Sequence, residues 1–240
     1  MNKLTVIVPF YNEQDLLLKS VSRLNEQNIA DYILLIDDSS SDNSYKIAES
    51  IQSQNSHIKL LKTKKNLGKG GAIKLGIENT ESDYIIVHDA DLEYDPKNIK
   101  TALDLAKEQN QEKIVILGSR FIGNVKRKNL YRRTFIANKF LSFLFSIFNG
   151  TKVSDVATCY KLISKNIYKN IEITKNGFEF EVEILSKSLK LTDRYLEIPI
   201  NYEGRSYEEG KKNLFEHLNP TITRNKKFFM WFSFKIHNYR

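Results

Sequence analysis

The most regular feature of this sequence is an alternation of short apolar segments with longer segments in which apolar residues recur at helical spacing. The short segments, typical of buried strands, are residues 4–8, 32–36, 57–61, 84–87 and 114–117. After the first of them, Leu17, Val21 and Leu24 recur every three or four positions, which predicts an amphipathic helix. Strands that alternate with helices pair in parallel through right-handed crossovers. The pattern therefore predicts an α/β fold, Rossmann-like, with a mostly parallel sheet flanked by helices.

Polar clusters follow the predicted strands and precede the predicted helices. They are residues 9–13, 37–42, 66–71 and 88–95. Ligands of such folds bind at the carboxyl ends of the strands, so we expect these clusters to converge on one crevice. Within them, Asn12, either Asp42 or Ser41, and Asp95 are predicted to cap the helices that follow.

The densest group of carboxylates follows the fourth strand, where Asp89, Asp91, Glu93 and Asp95 alternate along the chain. Carboxylates this close repel one another, and each raises its neighbour's pKa unless a cation lies among them. Mg²⁺ or Mn²⁺ suits such oxygen ligands and takes its remaining ligands from water and substrate phosphates. The group is a candidate metal site, and a solvated acidic turn is the alternative. The alternative is favoured for an isolated Asp-x-Asp, and only the rest of the chain favours the metal.

Residues 66–71, Asn-Leu-Gly-Lys-Gly-Gly, open a helix predicted to begin at Ala72. Their backbone N–H groups and Lys69 at a helix N-terminus predict an anion site. The segment lacks the spacing of a P-loop, and it follows the third strand rather than the first, unlike a Rossmann fingerprint. A helix start that is glycine-rich only because it packs tightly remains the alternative.

Length, composition and net charge limit the domain organisation of the chain and the classes of partner that it can bind. Its 240 residues suffice for one large α/β domain or two small ones. The single cysteine, Cys159, excludes a disulfide framework and fits a reducing compartment. The apolar run at the start is too short for a signal peptide, and no run approaches the ~20 residues that span a bilayer. The net charge of +8 indicates an anionic partner, which is a nucleic acid, a phosphorylated substrate or an anionic membrane.

Two later segments combine basic and apolar residues. Residues 126–133 contain five basic side chains and lead into an apolar helix whose polar positions Asn138, Ser142 and Ser146 form one stripe. Such a helix either lies in the core or contacts a membrane interface, and the two interpretations can hold for different faces. In residues 222–240, basic and aromatic residues interleave, which favours a membrane interface over single-stranded nucleic acid because no nucleic-acid-binding fold accompanies them.

Four polar clusters, in this order, resemble the nucleotide-sugar half of family 2 glycosyltransferases, which have the GT-A fold. The matching segments are Val-Ile-Val-Pro-Phe-Tyr-Asn-Glu at 6–13, Asp-Asp-Ser-Ser-Ser-Asp at 37–42, Asn-Leu-Gly-Lys-Gly at 66–70 and Asp-Ala-Asp at 89–91. The resemblance implies that a GDP- or UDP-linked sugar is bound and that its nucleoside contacts Pro9, Tyr11, Glu13 and Asp38. It also implies that Asp89 and Asp91 bind the metal that bridges the diphosphate, with Lys69 alongside. Glu93 is a candidate third metal ligand.

The second half resembles the polyprenyl-phosphate sugar synthases, the dolichyl-phosphate mannose synthase-like branch of the family. The segments concerned are residues 153–162, 177–183 and 198–212. The resemblance implies one GT-A domain over residues 1–215, with a nucleotide-sugar half at 1–120 and an acceptor half at 121–215, and then an amphipathic tail at 216–240.

The implied activity is inverting transfer of a hexose to a polyprenyl phosphate, dolichyl or undecaprenyl, on the cytoplasmic face of a membrane. The expected catalytic residues are Asp91, Arg120 and Asp155. Arg120 follows the fifth strand, where its guanidinium is expected to bind phosphate bidentately. The acceptor phosphate is expected to contact Arg132, Arg133, Arg205 and Lys211. This anionic nucleophile needs no strong base, so His88 beside the metal cluster is predicted to be structural.

Three alternatives stay open. Transfer to a hydroxyl of a glycan or a lipid-linked oligosaccharide would need a base, and Asp155 or Glu179 would have to accept the proton. A membrane-docking module that binds a nucleotide sugar without catalysis is the second, and the intact Asp89 and Asp91 pair argues against it. A nucleic-acid-binding protein is the third, and it rests on charge alone, so we expect no nucleic acid partner. The sequence does not indicate an oligomeric state.

Overall fold

The computed structural model describes residues 2–129 and 132–204. Its strands are β1 (Leu4–Phe10), β2 (Tyr32–Asp37), β3 (Ile58–Lys62), β4 (Tyr84–Val87), β5 (Ile114–Ser119), β6 (Arg127–Lys128), β7 (Lys161–Ser164), β8 (Arg194–Pro199) and β9 (Tyr202–Glu203). Its helices are α1 (Leu17–Asn25), α2 (Ser44–Gln54), α3 (Lys69–Glu78), α4 (Lys97–Gln109), α5 (Arg132–Asn149), α6 (Lys165–Tyr168) and α7 (Phe180–Leu191). The five strands predicted from the apolar segments are β1 to β5.

Seven strands form one sheet in the order β3-β2-β1-β4-β7-β5-β8. All neighbours pair in parallel except β7, which is antiparallel to both β4 and β5. The short strands β6 and β9 form a separate parallel pair. The predicted mostly parallel α/β sheet is therefore confirmed. The order also places β1 to β4 side by side, so their carboxyl ends lie along one edge.

Helices cover both faces of the sheet. The strands are therefore buried on both sides, which is why their sequences are continuous apolar runs. One apolar core includes residues of α1, α2 and α4. A second core on the other face includes residues of α3, α5, α6 and α7. The loops between strands and helices are thereby left at the two ends of the sheet, where they can carry a site.

The predicted helix starts are partly confirmed. The N-cap positions of α2 and α4 are Asn43 and Pro96, one residue after Asp42 and Asp95. The carboxylates of Asp42 and Asp95 nevertheless accept the N–H of Ser44 at 2.9 Å and that of Lys97 at 3.0 Å. The prediction for Asn12 is wrong, because α1 begins only at Leu17 and Asn12 has a left-handed φ of 54° in the preceding loop. Helix α3 begins at Lys69, three residues before the predicted start, because Gly68 with φ of 84° permits the turn into it.

Helix α5 is amphipathic, but its polar stripe faces the protein and its apolar face points outward, the reverse of the usual arrangement on a surface helix. Its serines face the protein, where the hydroxyl of Ser142 accepts the N–H of Val156 at 3.0 Å and that of Ser146 accepts the N–H of Val153 at 2.9 Å. Phe145 packs in the core, but five other apolar side chains of the helix are exposed, each by more than half of its surface: Ile136, Phe140, Phe143, Ile147 and Phe148. One face of this helix thus lies against the core, as the first interpretation predicts, and the other is exposed; contact of the exposed face with a membrane stays a prediction. No helix in residues 2–129 or 132–204 is long and apolar enough to cross a membrane.

The predicted tail at 216–240, the boundary at 215, and the acceptor residues Arg205 and Lys211 lie outside the described residues.

Candidate active site

The four predicted polar loops converge at the carboxyl edge formed by β3, β2, β1 and β4. The parallel register places Phe10 beside Asp37, and the N–H of His88 donates to the carbonyl of Ile7 at 2.9 Å. The loops that follow these strands therefore surround one region, as the strand-end rule for parallel sheets requires.

Reciprocal bonds fasten the first two loops to each other. The Asn12 side chain accepts the N–H of Ser41 at 2.8 Å, and the Ser40 hydroxyl accepts the N–H of Asn12 at 3.0 Å. The N–H of Glu13 donates to the hydroxyl of Ser44 at 2.8 Å. Among the residues predicted to hold a nucleoside, Pro9 is buried within β1, whereas the ring of Tyr11 is 46% exposed and open to a ligand.

Asp38 is buried, and its carboxylate binds the glycine-rich loop. It accepts the N–H of Leu67 at 2.9 Å, the N–H of Gly68 at 2.7 Å and the hydroxyl of Thr63 at 2.9 Å. The N–H of Gly70 donates to the carbonyl of Asn176 at 2.7 Å. Three N–H groups predicted to bind an external anion are therefore bonded within the protein, and that prediction is wrong for them.

The glycines of this loop serve close packing, the alternative that the sequence left open. A Cβ at Gly68 would lie 2.7 Å from the carbonyl oxygen of Asn176. A Cβ at Gly70 would overlap the carbonyl oxygen of Lys175 and lie 2.9 Å from the Cβ of Phe180. Residues 175–177 thus press against the start of α3, and only glycine leaves room for them.

The side chain of Lys69 lies among carboxylates. Its Nζ is 2.7 Å and 3.0 Å from the two carboxylate oxygens of Asp89 and 2.9 Å from Oε1 of Glu181. The other oxygen of Glu181 lies 2.6 Å from Nζ of Lys161, which also donates to the carbonyl of Thr158. Two ammonium groups and two carboxylates therefore form one neutral cluster, which we call the Lys69 cluster (Lys69, Asp89, Lys161 and Glu181).

The Lys69 cluster is held charged by its own pairing. Burial by itself lowers the pKa of Lys69, but the carboxylates of Asp89 and Glu181 raise that pKa well above its ordinary value. Burial likewise raises the pKa of Glu181, and the ammonium groups of Lys161 and Lys69 outweigh it, so the pKa is lowered. Lys69 and Glu181 thus remain ionised near neutral pH.

The acidic loop after β4 presents fewer ligands than predicted. Oδ1 of Asp91 accepts the N–H of Glu93 at 3.1 Å, while Oε2 of Glu93 accepts the hydroxyl of Tyr202 at 2.7 Å. In the part of the chain that the structure describes, no three His, Cys, Asp or Glu side chains are grouped as a metal-binding set. The predicted three-carboxylate set of Asp89, Asp91 and Glu93 is therefore not assembled, and Asp89 and Asp91 remain as candidate ligands.

His88 lies beneath this loop as part of the core. Its Nδ1 is 2.8 Å from the hydroxyl of Tyr160 and its Nε2 is 3.3 Å from the hydroxyl of Ser20. Burial lowers the pKa of His88 to about 4, so the ring is neutral at physiological pH. These contacts agree with the structural role that the sequence predicts for it.

Arg120 and Asp155, both predicted to be catalytic, bind each other. Nε and one terminal nitrogen of Arg120 donate to the two oxygens of Asp155 at 2.7 Å and 2.8 Å, and both side chains are buried. The bidentate partner of Arg120 is thus a carboxylate and not the predicted phosphate. The guanidinium also lies over the ring of Tyr202, 5.2 Å from its centre, which connects it to Glu93 through the Tyr202 hydroxyl.

The start of α5 adjoins this group. Phe135 packs edge-on against Phe121 with ring centres 5.1 Å apart, and the Arg120 guanidinium lies 5.4 Å from the centre of the Phe121 ring. Arg132 and Arg133, predicted to bind the acceptor phosphate, are exposed at the first turn of the helix. A continuous series of contacts therefore leads from the acidic loop to the basic end of α5.

Glu181 and Lys161 were not predicted as site residues. The one signal in the sequence is a lysine at the start of the apolar strand that became β7, because a buried ammonium requires a buried acid. Nothing local distinguishes Glu181 from Glu179 and Glu183, which alternate with it in the sequence; the helical geometry of α7 turns Glu181 inward.

Comparisons with known proteins agree with the fold and the loops. The family model Glycosyl transferase family 2 matches residues 5–172. A dolichol-phosphate mannosyltransferase of Pyrococcus furiosus is 26% identical over 223 residues, which are 90% of this chain and 62% of the relative. The chain thus spans less than two thirds of the length of that relative.

Solved structures share the fold at low identity. A glucosyl-3-phosphoglycerate synthase from Mycobacterium tuberculosis, solved with Mn²⁺, UDP and glucosyl-3-phosphoglycerate, has a TM-score of 0.64 at 14% identity, covering 87% of this chain and 74% of that chain. TarS 1–349 of S. aureus has a TM-score of 0.59 at 16% identity, covering 90% and 63%. The family predicted from the four loops is confirmed, and this chain belongs to glycosyl transferase family 2.

Proposed function

We propose that the chain is an inverting hexosyltransferase that moves a sugar from a GDP- or UDP-linked donor to a polyprenyl phosphate at a membrane surface. The observation that supports a lipid-linked acceptor is the reversed amphipathicity of α5: its serines bond to the protein, whereas Phe140 and Phe143 are exposed. An exposed apolar face beside arginines suits a bilayer with anionic headgroups. The mannosyltransferase named above, similar over most of this chain, supports the same class of acceptor.

A divalent metal, Mg²⁺ or Mn²⁺, fits the carboxylates that the structure presents. Asp89 already binds a cation, the Lys69 ammonium, with both of its oxygens, and Asp91 follows two residues later. Hard oxygen donors in this number leave positions for water and phosphate oxygens. Bound there, the metal would supply charge neutralisation for the departing diphosphate. The Mn²⁺ and UDP in the mycobacterial synthase support this proposal.

The residues of the chain divide into donor and acceptor groups. Tyr11 and Glu13 line the loops where a nucleoside is expected, and Pro9 and Asp38 support those loops from within. Arg132 and Arg133 offer two exposed guanidinium groups to the acceptor phosphate at the apolar helix. The Arg120–Asp155 pair positions the segment between the two groups.

Transfer to a neutral hydroxyl is the competing function. It needs a base, and Asp155 is buried and fully engaged by Arg120, so it is poorly placed to accept a proton. Glu179 is exposed and remains the candidate base for that reaction. A phosphate acceptor is already anionic near neutral pH and does not require either carboxylate.

The test is an assay of sugar transfer from a panel of radiolabelled GDP- and UDP-sugars with Mn²⁺, offering undecaprenyl phosphate, dolichyl phosphate or an alcohol of the same chain length. We expect transfer to a phosphate only. The double variant Arg132→Ala/Arg133→Ala should lose most of this transfer yet bind the nucleotide normally, and Asp91→Asn should lose about a hundredfold or more. Lys100→Ala, on the exposed face of α4, is the matched control. Full activity of Asp91→Asn, or preference for the alcohol, would contradict the proposal.

A further inference from the structure

The Lys69 cluster connects three elements that are distant in sequence. Lys69 is the first residue of α3, Glu181 lies in the first turn of α7, and Lys161 begins β7. Asp89 follows β4, the antiparallel neighbour of β7. The cluster therefore joins the candidate metal loop to the second half of the chain.

Its two halves differ in burial. The Glu181 and Lys161 side chains are 9% and 3% exposed, whereas those of Lys69 and Asp89 are 18% and 24% exposed. The Glu181–Lys161 pair is thus fixed in the interior, and the Lys69–Asp89 pair opens toward the crevice. A ligand arriving from solvent meets Asp89 and the ammonium of Lys69 first.

A divalent metal and the Lys69 ammonium require the same two oxygens. Nζ of Lys69 lies 2.7 Å and 3.0 Å from the oxygens of Asp89, so it occupies the side of the carboxylate that a metal would use. Two cations at one carboxylate repel each other strongly in a partly buried site. The ammonium has a second anionic partner at 2.9 Å, the Oε1 atom of Glu181, which keeps it in place when Asp89 is taken.

We infer that Lys69 exchanges with the divalent metal at Asp89 and that Glu181, itself braced by Lys161, is a positioning residue that retains the ammonium beside the site. The inference rests on the proposed function, because it assumes a metal at Asp89. Without nucleotide, Lys69 competes with the metal. When a nucleoside diphosphate enters with the metal, the released ammonium faces diphosphate oxygens, so that Lys69 then favours binding of the pair.

Direct measurement of Mn²⁺ binding tests the exchange without sugar transfer. Free Mn²⁺ is followed by electron paramagnetic resonance with the full chain, with and without GDP or UDP. Without nucleotide, Lys69→Met should bind Mn²⁺ about fivefold or more tightly than the wild type, the lower end of a typical coupling between sites. With nucleotide the order should reverse. Lys100→Met, the same substitution at a lysine paired with Asp104 on the surface of α4, should leave both affinities unchanged.

A second pair of variants tests the role of Glu181. Glu181→Gln removes the anion that shares the ammonium, so Lys69 should hold Asp89 more tightly and Mn²⁺ should bind about fivefold or more weakly than to the wild type. In the Lys69→Met background the same substitution should have no effect on Mn²⁺ affinity. A merely structural contribution of Glu181 would persist in both backgrounds, so the double-mutant cycle separates the two roles.

Unchanged or weaker Mn²⁺ binding by Lys69→Met without nucleotide would overturn the inference. If that variant does not give a wild-type circular dichroism spectrum, an unchanged Mn²⁺ affinity of Glu181→Gln overturns it instead. Failure of the proposed function is distinguishable: tight Mn²⁺ binding with the expected variant effects, but no sugar transfer, supports the exchange and rejects the transferase. No Mn²⁺ binding by the wild type with either nucleotide rejects both.

Discussion

Arg120 and Asp155 form a buried bidentate ion pair, with donor–acceptor distances of 2.7 Å and 2.8 Å, between the end of β5 and the segment before β7. The backbone N–H of Arg120 adds a third bond to the same carboxylate at 3.1 Å. Such a pair holds the two segments in a fixed relation, because moving them apart would leave each buried charge without its partner.

Asp155→Asn should therefore destabilise the protein strongly. It leaves the buried guanidinium without a counter-ion, and breaking a buried pair in this way costs about 3–5 kcal/mol. Urea unfolding followed by circular dichroism measures the loss. Asp104→Asn breaks the exposed Lys100–Asp104 pair instead and should change the free energy of unfolding by less than about 1 kcal/mol. Equal effects of the two substitutions on the free energy of unfolding would show that burial does not determine how strongly the Arg120–Asp155 pair stabilises the protein.

Gly70→Ala should also destabilise the protein, although alanine is the better helix former. Helix propensity favours alanine by about 1 kcal/mol, but the new methyl group would overlap the carbonyl oxygen of Lys175. Overpacking against a fixed backbone costs about 1–3 kcal/mol, so we expect a net loss in urea unfolding. Gly150→Asn is the control, because Gly150 has open space around it and a φ of 64° that asparagine tolerates. A more stable Gly70→Ala variant would refute the packing explanation.

Glu183 should make stability depend on pH in the acid range. Burial raises the pKa of Glu183, but bonds from Lys187, Thr174 and the N–H of Lys175 outweigh it and lower the pKa from 4.5 to about 2. A depressed carboxyl pKa stabilises the fold above the unfolded value, and the stabilisation is lost as pH falls from about 4.5 toward 2.

Wild type should accordingly exceed Glu183→Gln in free energy of unfolding by about 2 kcal/mol at pH 7, after allowance for solvent screening. The difference should shrink progressively as pH falls below 4.5. Urea unfolding of both proteins at pH 7, 5 and 3.5 provides the comparison. A difference that stays constant over this range would mean that the charge of Glu183 is not responsible.

Phe140→Ser/Phe143→Ser should reduce membrane binding without loss of stability. Both rings are about 60% exposed in the described structure, so their removal should cost the fold little, whereas insertion of each into a bilayer interface contributes about 1 kcal/mol or more. Flotation with anionic phospholipid vesicles should show at least about a tenfold weaker partition coefficient. Leu18→Ser, at a residue 57% exposed on α1, is the control and should partition as the wild type does.

Much of this protein follows from local sequence patterns. The apolar runs that became β1 to β5 are properties of short segments, and so are the carboxylates of Asp42 and Asp95, which bind the first N–H groups of α2 and α4. Periodicity and local side-chain chemistry suffice to find them. The placement of the acidic loop beside the first two loops also follows, because parallel strands bring their carboxyl ends to one edge. The family is recognisable for the same reason, since its motifs are contiguous.

What the sequence alone could not determine is which charged groups satisfy one another. Lys69 contacts Glu181, Arg120 contacts Asp155, and Glu93 contacts Tyr202, each across more than 30 residues. These partners depend on which helix face and which strand end meet in the folded chain, and no local period encodes that. The outward apolar face of α5 is a further case, because the serine stripe was visible in the sequence but only packing against Val153 and Val156 decided that it points inward.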